Sequence, residues 1–121
     1  ISKKIKMNFK PTGRYTVTDD KWFVFVLEQF ISNALKYTKK GQISIYMKEK
    51  SLVIEDTGIG IPAEDLPRIF EKGFTGYNGR ENKKSTGIGL YLCKNIMDKL
   101  QWNITVDSEV GSGTKIYLTK M

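Results

Sequence analysis

The chain has 121 residues, a length that one hydrophobic core commonly serves. It is 40% hydrophobic and 27% charged, and its longest apolar run is the six residues 22–27, which excludes a disordered chain and a membrane-spanning helix. The formal net charge of +7 favours polyanionic partners such as nucleic acid, anionic lipid or nucleotide phosphates, although solubility alone also explains it. Aromatic residues do not alternate with basic ones as a nucleic-acid stacking surface requires, so we expect no nucleic-acid partner.

Apolar periodicity predicts alternating strands and helices along the chain. Residues 4–9 alternate apolar and polar side chains, which predicts a strand, and residues 15–18 read as a second short strand. Asp19 or Asp20 is a good N-cap for a long amphipathic helix over 21–38, which we expect Gly41 to end. The remaining predicted elements are strands over 42–48 and 52–56, a short helix over 63–70, a mobile glycine-rich loop over 73–86, a second long helix over 87–100, and strands over 102–108 and 114–119.

These elements predict a single α+β domain over residues 1–121, a two-layer sandwich with one mixed sheet and helices on one face. The single cysteine, Cys93, excludes an internal disulfide and fits a reducing compartment. No signal peptide opens the chain, and its start at Ile1 leads us to expect a domain cut from a longer protein. The absence of histidine excludes any mechanism in which this chain supplies an imidazole as base, nucleophile or metal ligand.

One polar stripe lies along the first long helix. Its members are spaced i, i+4, i+7 and i+8 and comprise Gln29, Asn33, Lys36 and Tyr37. An ordinary solvated face is one interpretation. The other is a site for a hard cation and a phosphate, because the amide oxygen of Asn33 suits Mg²⁺ and Lys36 can face a phosphate.

A glycine-rich turn over 56–62 follows an apolar strand. The Asp56 carboxylate can accept a hydrogen bond from an exocyclic amine, while Gly58 and Gly60 let a planar ligand approach the backbone. A simple turn capped by aspartate is the plainer alternative. Asp56-Thr57-Gly58 also matches the active-site tripeptide of retroviral-type aspartic proteases, in which each subunit of a dimer contributes one carboxylate.

A third motif over 85–90 leads from the predicted loop into the second long helix. Backbone N–H groups at a glycine-rich helix N-terminus form a phosphate site, although a flexible N-cap explains the same residues. The motif is neither a Walker A loop nor a Rossmann fingerprint, because no Gly-Lys-Ser/Thr follows and no strand precedes it.

Four patterns, in order along the chain, resemble the N, G1, F and G2 boxes of the GHKL ATPase superfamily. They are Asn-x-x-Lys-Tyr, Asp-x-Gly-x-Gly, Phe-x-x-x-Phe and Thr-Gly-x-Gly-Leu. More closely, they resemble the catalytic ATP-binding domain of bacterial sensor histidine kinases, whose fold is of the Bergerat type. Segment 111–114 is similar to that family's final glycine turn, and segment 73–80 is similar to kinases that sense cell-envelope antibiotics in Gram-positive bacteria. The matching box residues are Asn33, Lys36, Tyr37, Asp56, Gly58, Gly60, Phe70, Phe74, Thr86, Gly87, Gly89 and Leu90.

The resemblance implies a Mg-ATP site. Asp56 would accept the adenine amino group, and Asn33 would hold Mg²⁺ that bridges the phosphates. Lys36 and Tyr37 would lie beside the phosphates and sugar, and 73–86 would form a lid over the site. The other implied contacts to the nucleotide are Ile54, Gly58, Gly60, Ile61, Phe70, Thr86, Gly87, Gly89, Leu90 and Thr114.

Two positions depart from the family pattern. Gln29 stands where many kinases have a second asparagine, so it is a possible further Mg²⁺ ligand. Thr75 stands where many members carry a lid arginine, and Arg80, Lys83 or Lys84 would replace it at the γ-phosphate. We therefore expect Asn33, Lys36 and Arg80 to be the catalytic residues.

The chemistry of Gln29 favours transfer over hydrolysis. Gyrase-type and MutL-type relatives carry a water-activating glutamate at this position, whereas an amide cannot take a proton at neutral pH. The resemblance implies a phosphoacceptor histidine on a separate dimerisation domain and onward transfer to a response regulator. It also implies a monomeric isolated domain, in the cytoplasm, of a homodimeric membrane sensor kinase. A GHKL-type ATPase, an aspartic protease and a basic nucleic-acid-binding module are the alternatives.

Overall fold

The computed structural model describes residues 4–9, 20–38, 40–74 and 88–120. Its elements follow the predicted order closely. They are β1 (Lys4–Phe9), α1 (Asp20–Tyr37), β2 (Lys40–Lys48), β3 (Ser51–Asp56), a 3₁₀ turn (Leu66–Arg68), α2 (Gly89–Leu100), β4 (Trp102–Glu109) and β5 (Gly113–Lys120). The predicted strand over 15–18 lies outside the described residues. No helix in the described segments is long and apolar enough to cross a membrane.

The described strands form one five-stranded sheet in the order β1-β2-β3-β5-β4. β1 runs parallel to β2, and the other neighbouring strands are antiparallel, so the sheet is mixed as predicted. Val26 of α1 and Met97 of α2 belong to the same core cluster as Ile54 and Leu118 of the sheet. Both helices therefore pack on one face, which confirms the two-layer α+β sandwich.

The strand registers divide the helix-facing side of the sheet into rows. Ile45, Ile54, Ile116 and Val106 are consecutive cross-strand partners and form one aliphatic row. Two residues further along each strand, the row at the end of the sheet contains Ile43, Asp56, Thr114 and Ser108. Because side chains alternate between faces with a period of two, these polar residues lie on the same side as the aliphatic core. The sheet thus presents a polar edge directly beside its hydrophobic centre.

The helices are held to the sheet by apolar contacts. Val26 and Phe30 of α1 and Cys93 and Met97 of α2 are almost fully buried. The Phe23 ring lies 4.9 Å from the Trp102 ring, where α1 meets β4. Full burial of a large apolar side chain contributes about 1.5–3 kcal/mol, so these few residues fix the position of both helices.

Gly41 does not end the first helix, as the sequence suggested, but lies inside β2. The helix ends at Tyr37, and the next residue, Thr38, donates its N–H to Ala34 O at 3.0 Å. At Gly41 φ is +147°, and a Cβ there would collide with the Thr57 hydroxyl. The glycine is therefore explained by a close contact with a residue distant in sequence.

Two other helix predictions change in extent. The predicted helix over 63–70 is only the 3₁₀ turn Leu66–Arg68, because Pro67 has no N–H to continue a hydrogen-bond ladder. The second long helix begins at Gly89 and not at residue 87. Asp20 is the first residue of α1 and not its N-cap.

Candidate functional site

Asp56 is the last residue of β3 and lies in the polar row on the helix-facing side. Its Oδ1 accepts the backbone N–H of Gly58 at 2.8 Å. The backbone N–H of Thr114, its partner across the sheet, donates to the same carboxylate. These two donors fix the carboxylate at the junction of the turn and β5.

Burial is the main influence on the charge state of Asp56. It raises the pKa of the carboxyl above the ordinary value of 3.8, and the negative charge of Glu55 acts in the same direction. The N–H groups of Gly58 and Thr114 lower the pKa but do not offset the effect of burial. A carboxyl that is partly withdrawn from water and still hydrogen-bonded is suited to recognise a donor on a ligand.

The turn after Asp56 has no space for side chains at its glycines. A Cβ on Gly58 would lie 2.6 Å from Tyr37 O and 2.9 Å from Asp56 Oδ1. Gly60 has φ of +79°, and a Cβ there would collide with the carbonyl of Glu109. The glycines are thus needed for the backbone to pass between the end of α1 and the β4–β5 hairpin.

Hydrogen bonds hold the turn on both sides. Ile59 donates its N–H to Tyr37 O at 3.2 Å, and Gly111 donates its N–H to Ile59 O at 2.9 Å. At its start, Thr57 forms a reciprocal pair with Gln42: Thr57 N–H to Gln42 O at 3.1 Å, and Gln42 N–H to Thr57 Oγ1 at 2.9 Å. The turn is therefore a rigid link between β2, α1 and the hairpin.

Ser108 is a site residue that the sequence analysis missed. Its Oγ accepts the N–H of Ile61 at 2.8 Å, donates to Gly113 O at 3.0 Å and lies 2.7 Å from Thr114 Oγ1. It therefore joins the glycine turn to β5 beside Asp56. The only sequence signal is its position six residues before Thr114 on the opposite arm of a glycine-containing hairpin.

The polar stripe on α1 is partly shielded from solvent. Gln29, Asn33, Lys36 and Tyr37 are all half-buried, whereas Glu28 and Ser32 on the same helix are exposed. Lys36 Nζ lies 5.5 Å from the Tyr37 ring centroid, within cation–π range, and burial raises the pKa of Tyr37. The stripe is thus less exposed than its neighbours on α1, and its role as a site stays a prediction.

α1 also contacts the start of α2. A Cβ on Gly89, the first residue of α2, would lie 2.5 Å from Gln29 Oε1. The Gln29 amide therefore lies at the N-terminus of a 12-residue helix, where backbone N–H groups and the helix dipole favour anions. Leu90, the next residue of α2, and Phe70 are half-buried and pack against the core cluster.

The described residues of the predicted site form two connected groups. The first group lies at the glycine turn and contains Asp56, Gly58, Gly60, Ile61 and Thr114. The carbonyl of Tyr37 joins that turn to α1. Gln29 and Gly89 join α1 to α2. The remaining assignments stay predictions, because they fall outside the described residues. They are Arg80, Thr86, Gly87 and most of the predicted lid over 73–86.

The donor chemistry fits Mg²⁺ only in part. In the segments described, no cluster of three or more histidine, cysteine, aspartate or glutamate side chains forms a metal site. Asn33 supplies an amide oxygen on the half-buried stripe. This suits Mg²⁺ bound mainly through ligand phosphates and water, the usual mode for that ion.

Comparison with known proteins agrees with this geometry. Residues 18–121 match the family model described as histidine kinase-, DNA gyrase B- and HSP90-like ATPase. Sensor protein BceS of Halalkalibacterium halodurans is 44% identical over 98% of the chain and 37% of its own length. Sensor histidine kinase YxdK of Bacillus subtilis is 41% identical, over 86% of the chain and 35% of its own length. The chain thus spans about a third of the length of these curated relatives.

Solved structures show the same fold. The mycobacterial sensor histidine kinase MprB matches with a TM-score of 0.75 and 22% identity, covering 95% of this chain and 78% of that one. Full-length ShkA in complex with AMPPNP also gives a TM-score of 0.75, with 19% identity over 97% of this chain and 26% of that one. On the match over 18–121, the chain belongs to the histidine kinase-, DNA gyrase B- and HSP90-like ATPase family.

Proposed function

We propose that this chain binds Mg-ATP and donates the γ-phosphoryl group to a histidine on a separate dimerisation domain of a sensor histidine kinase, for relay to a response regulator. The relatives BceS and YxdK are sensor proteins about three times as long as the portion that matches this chain. The parent protein is then a homodimeric membrane kinase, of which this chain is the cytoplasmic catalytic domain.

The observation that carries the proposal is the fixed carboxylate of Asp56 at the start of a turn that contains Gly58 and Gly60. A carboxylate offers about four lone-pair sites, so after it accepts from Gly58 and Thr114 it still has room for one further donor. The exocyclic amine of adenine is such a donor. Gly58 and Gly60 let the turn pass close to Tyr37 and Glu109, which holds it beside Asp56, and half-buried Ile61 adds an apolar side chain to the turn.

The phosphate side of the site is assigned to α1 and the start of α2. Lys36 supplies a positive charge, and the N-terminus of α2 at Gly89 favours an anion. Asn33 is the proposed Mg²⁺ ligand, with Gln29 as a possible second one. Bound Mg²⁺ supplies charge neutralisation on the transferring phosphoryl group. Arg80, Thr86 and Gly87 complete the proposal from sequence alone.

The chemistry of Gln29 supports transfer over hydrolysis. Gln29 places an amide where a water-activating carboxylate would be needed, and an amide does not act as a base at neutral pH. The chain has no histidine, so in the proposed transfer the acceptor histidine belongs to another domain. Positioning of the nucleotide is then the contribution of this chain to the rate.

The aspartic-protease interpretation of Asp56-Thr57-Gly58 does not fit the fold. It requires an almost all-β chain, whereas the described residues include α1 of 18 residues and α2 of 12. It also leaves the half-buried stripe on α1 without a role.

A transfer assay tests the proposal. The purified chain is mixed with γ-labelled ATP, Mg²⁺ and the separately purified dimerisation domain of a relative such as BceS. We expect label on the histidine of that domain and little free phosphate. Rapid release of phosphate without transfer would favour the GHKL-type ATPase instead. Asn33→Ala serves as the inactive control.

A further inference from the structure

The hydroxyl of Ser108 has its full set of hydrogen bonds among the described residues. It is 2.8 Å from Ile61 N, 3.0 Å from Gly113 O and 2.7 Å from Thr114 Oγ1. A serine hydroxyl has one proton and two lone pairs, so it can donate one hydrogen bond and accept two. The three partners use this capacity completely.

The direction of each bond follows from the chemistry of the partners. The Ile61 N–H can only donate, and the Gly113 carbonyl can only accept, so Ser108 gives its single proton to Gly113. The remaining bond therefore has Thr114 as donor and Ser108 as acceptor. The proton of Thr114 is thereby committed, and Thr114 Oγ1 can only accept from any further partner.

Thr114 lies where this restriction affects a ligand. It is the cross-strand partner of Asp56 on one side and of Ser108 on the other, in the polar row on the helix-facing side of the sheet. Only 9% of the residue is exposed, so its hydroxyl is largely shielded from bulk solvent. Asp56 and Thr114 consequently present two hydrogen-bond acceptors side by side.

We propose that Ser108 is a positioning residue for base selectivity: it fixes Thr114 as an acceptor, so that the site favours a purine with an amine at position 6 over one with a carbonyl. The proposal rests on the proposed binding of adenine at Asp56. A carbonyl at position 6 would face two acceptors and leave buried groups unpaired, which is unfavourable. Removal of the Ser108 hydroxyl frees the Thr114 proton, and Thr114 can then donate to such a carbonyl.

The test compares ATP with inosine triphosphate, which has a carbonyl at position 6 and a proton on N1. Calorimetric titrations give the ratio of the two Kd values for the unaltered chain and for Ser108→Ala. We expect the preference for ATP to fall by roughly three- to tenfold in Ser108→Ala, the value of one net hydrogen bond. Ser112→Ala, at an exposed position in the same hairpin, is the matched control and should keep the original ratio.

A second pair of variants separates selectivity from loss of structure. In Thr114→Val, which has no proton to redirect, adding Ser108→Ala should leave the ratio of Kd values unchanged. Thr114→Ser, which keeps the hydroxyl, should retain the original ratio and serves if Ser108→Ala does not fold. Thr114→Val alone should prefer ATP less than the unaltered chain does, because it has lost one acceptor. A Thr114→Ser chain whose preference for ATP is as small as that of Thr114→Val would then overturn the inference.

The outcomes distinguish a failure of this inference from a failure of the proposed adenine binding on which it rests. An unaltered chain that binds both nucleotides equally overturns the proposed adenine site and the inference with it. A chain that prefers ATP, but whose preference is unchanged in Ser108→Ala, overturns the inference alone. Equal weakening of both nucleotides in Ser108→Ala also overturns it, since that is the result of a purely structural role.

Discussion

Asp56 and Thr114 are direct cross-strand partners, and the backbone N–H of Thr114 donates to the carboxylate of Asp56. This pairing places the one acidic group of the polar row against β5. The same carboxylate is fixed from the other side by Gly58 N–H at 2.8 Å. Main-chain N–H groups therefore fix the side chain of Asp56, the one most important for the proposed function, before a ligand binds.

Replacement of Asp56 by asparagine should stabilise the free domain at neutral pH. Because burial raises the pKa of Asp56 in the folded state, the folded chain holds this proton more tightly than the unfolded chain does. The associated stability is fully present below the ordinary pKa of 3.8 and is lost as pH rises through the raised value. Asp56→Asn removes that loss, so its Tm should exceed that of the unaltered chain at pH 7 and approach it in acid.

Thermal unfolding followed by circular dichroism from pH 3.5 to pH 7 measures this difference. Asp107→Asn, at an exposed position on β4, is the matched control for loss of one carboxyl. A lower Tm for Asp56→Asn than for the unaltered chain at pH 7 would show that the charged carboxylate stabilises the fold.

Gly60→Ala should destabilise the domain more than Gly111→Ala does. Both glycines have positive φ, +79° and +87°, so alanine is strained at either position. A Cβ at Gly60 collides with the Glu109 carbonyl, whereas no heavy atom of the described residues lies within 4 Å of a Cβ at Gly111. The collision should add about 1–3 kcal/mol to the free-energy cost, as overpacking usually does. Urea denaturation measures both variants, and equal losses would mean that the turn moves aside.

Asn33→Ala and Asn33→Asp should abolish phosphoryl transfer and leave the fold intact. Asn33 is half-buried on the polar stripe, and it is not among the residues of the core cluster. The assay is transfer of label from ATP to an added dimerisation domain, with circular dichroism to check folding. Ser32→Ala, at an exposed position beside it on α1, is the control that should transfer normally. Normal transfer by Asn33→Ala would remove its proposed role with the metal.

Cys93 should be unreactive until the domain unfolds. It is the only cysteine in the chain, it is fully buried beneath α1, and burial raises the pKa of its thiol to about 12. Thiolate is the reactive form, so burial and protonation both protect the sulfur. Labelling with a thiol reagent across a urea series should follow the unfolding transition measured by circular dichroism. Rapid labelling in the absence of urea would show that the space between the helices opens in the folded state.

The sequence was sufficient for the features that depend on local pattern. The periods of 3.6 and 2 predict both helices and most strand bounds, whereas the role of Asp56 and its glycines stays a prediction. Features that depend on distant contacts do not follow from local pattern. Local pattern places Gly41 at a helix end, because its contact with Thr57 arises only after β2 pairs with β3. Ser108 has little local signal, because its role requires the register of β4 against β5.

The polar stripe on α1 shows the same limit. Spacing alone left open whether Asn33 and Lys36 belong to a solvated face or to a site, since both arrangements have the same period. The packing of α2 against Gln29 is a contact between residues 29 and 89 that spacing cannot show, and the roles of Asn33 and Lys36 stay predictions. A helix face is thus defined by its neighbours in space as much as by its own sequence.

The most direct test of the account is a calorimetric titration of this chain with ATP, with and without Mg²⁺, alongside Asp56→Ala. The account predicts binding in the micromolar range that Mg²⁺ strengthens, a clear preference for ATP over GTP, and loss of that preference in Asp56→Ala. Equal affinity for ATP and GTP, or an Asp56→Ala chain that binds ATP as the unaltered chain does, would contradict it.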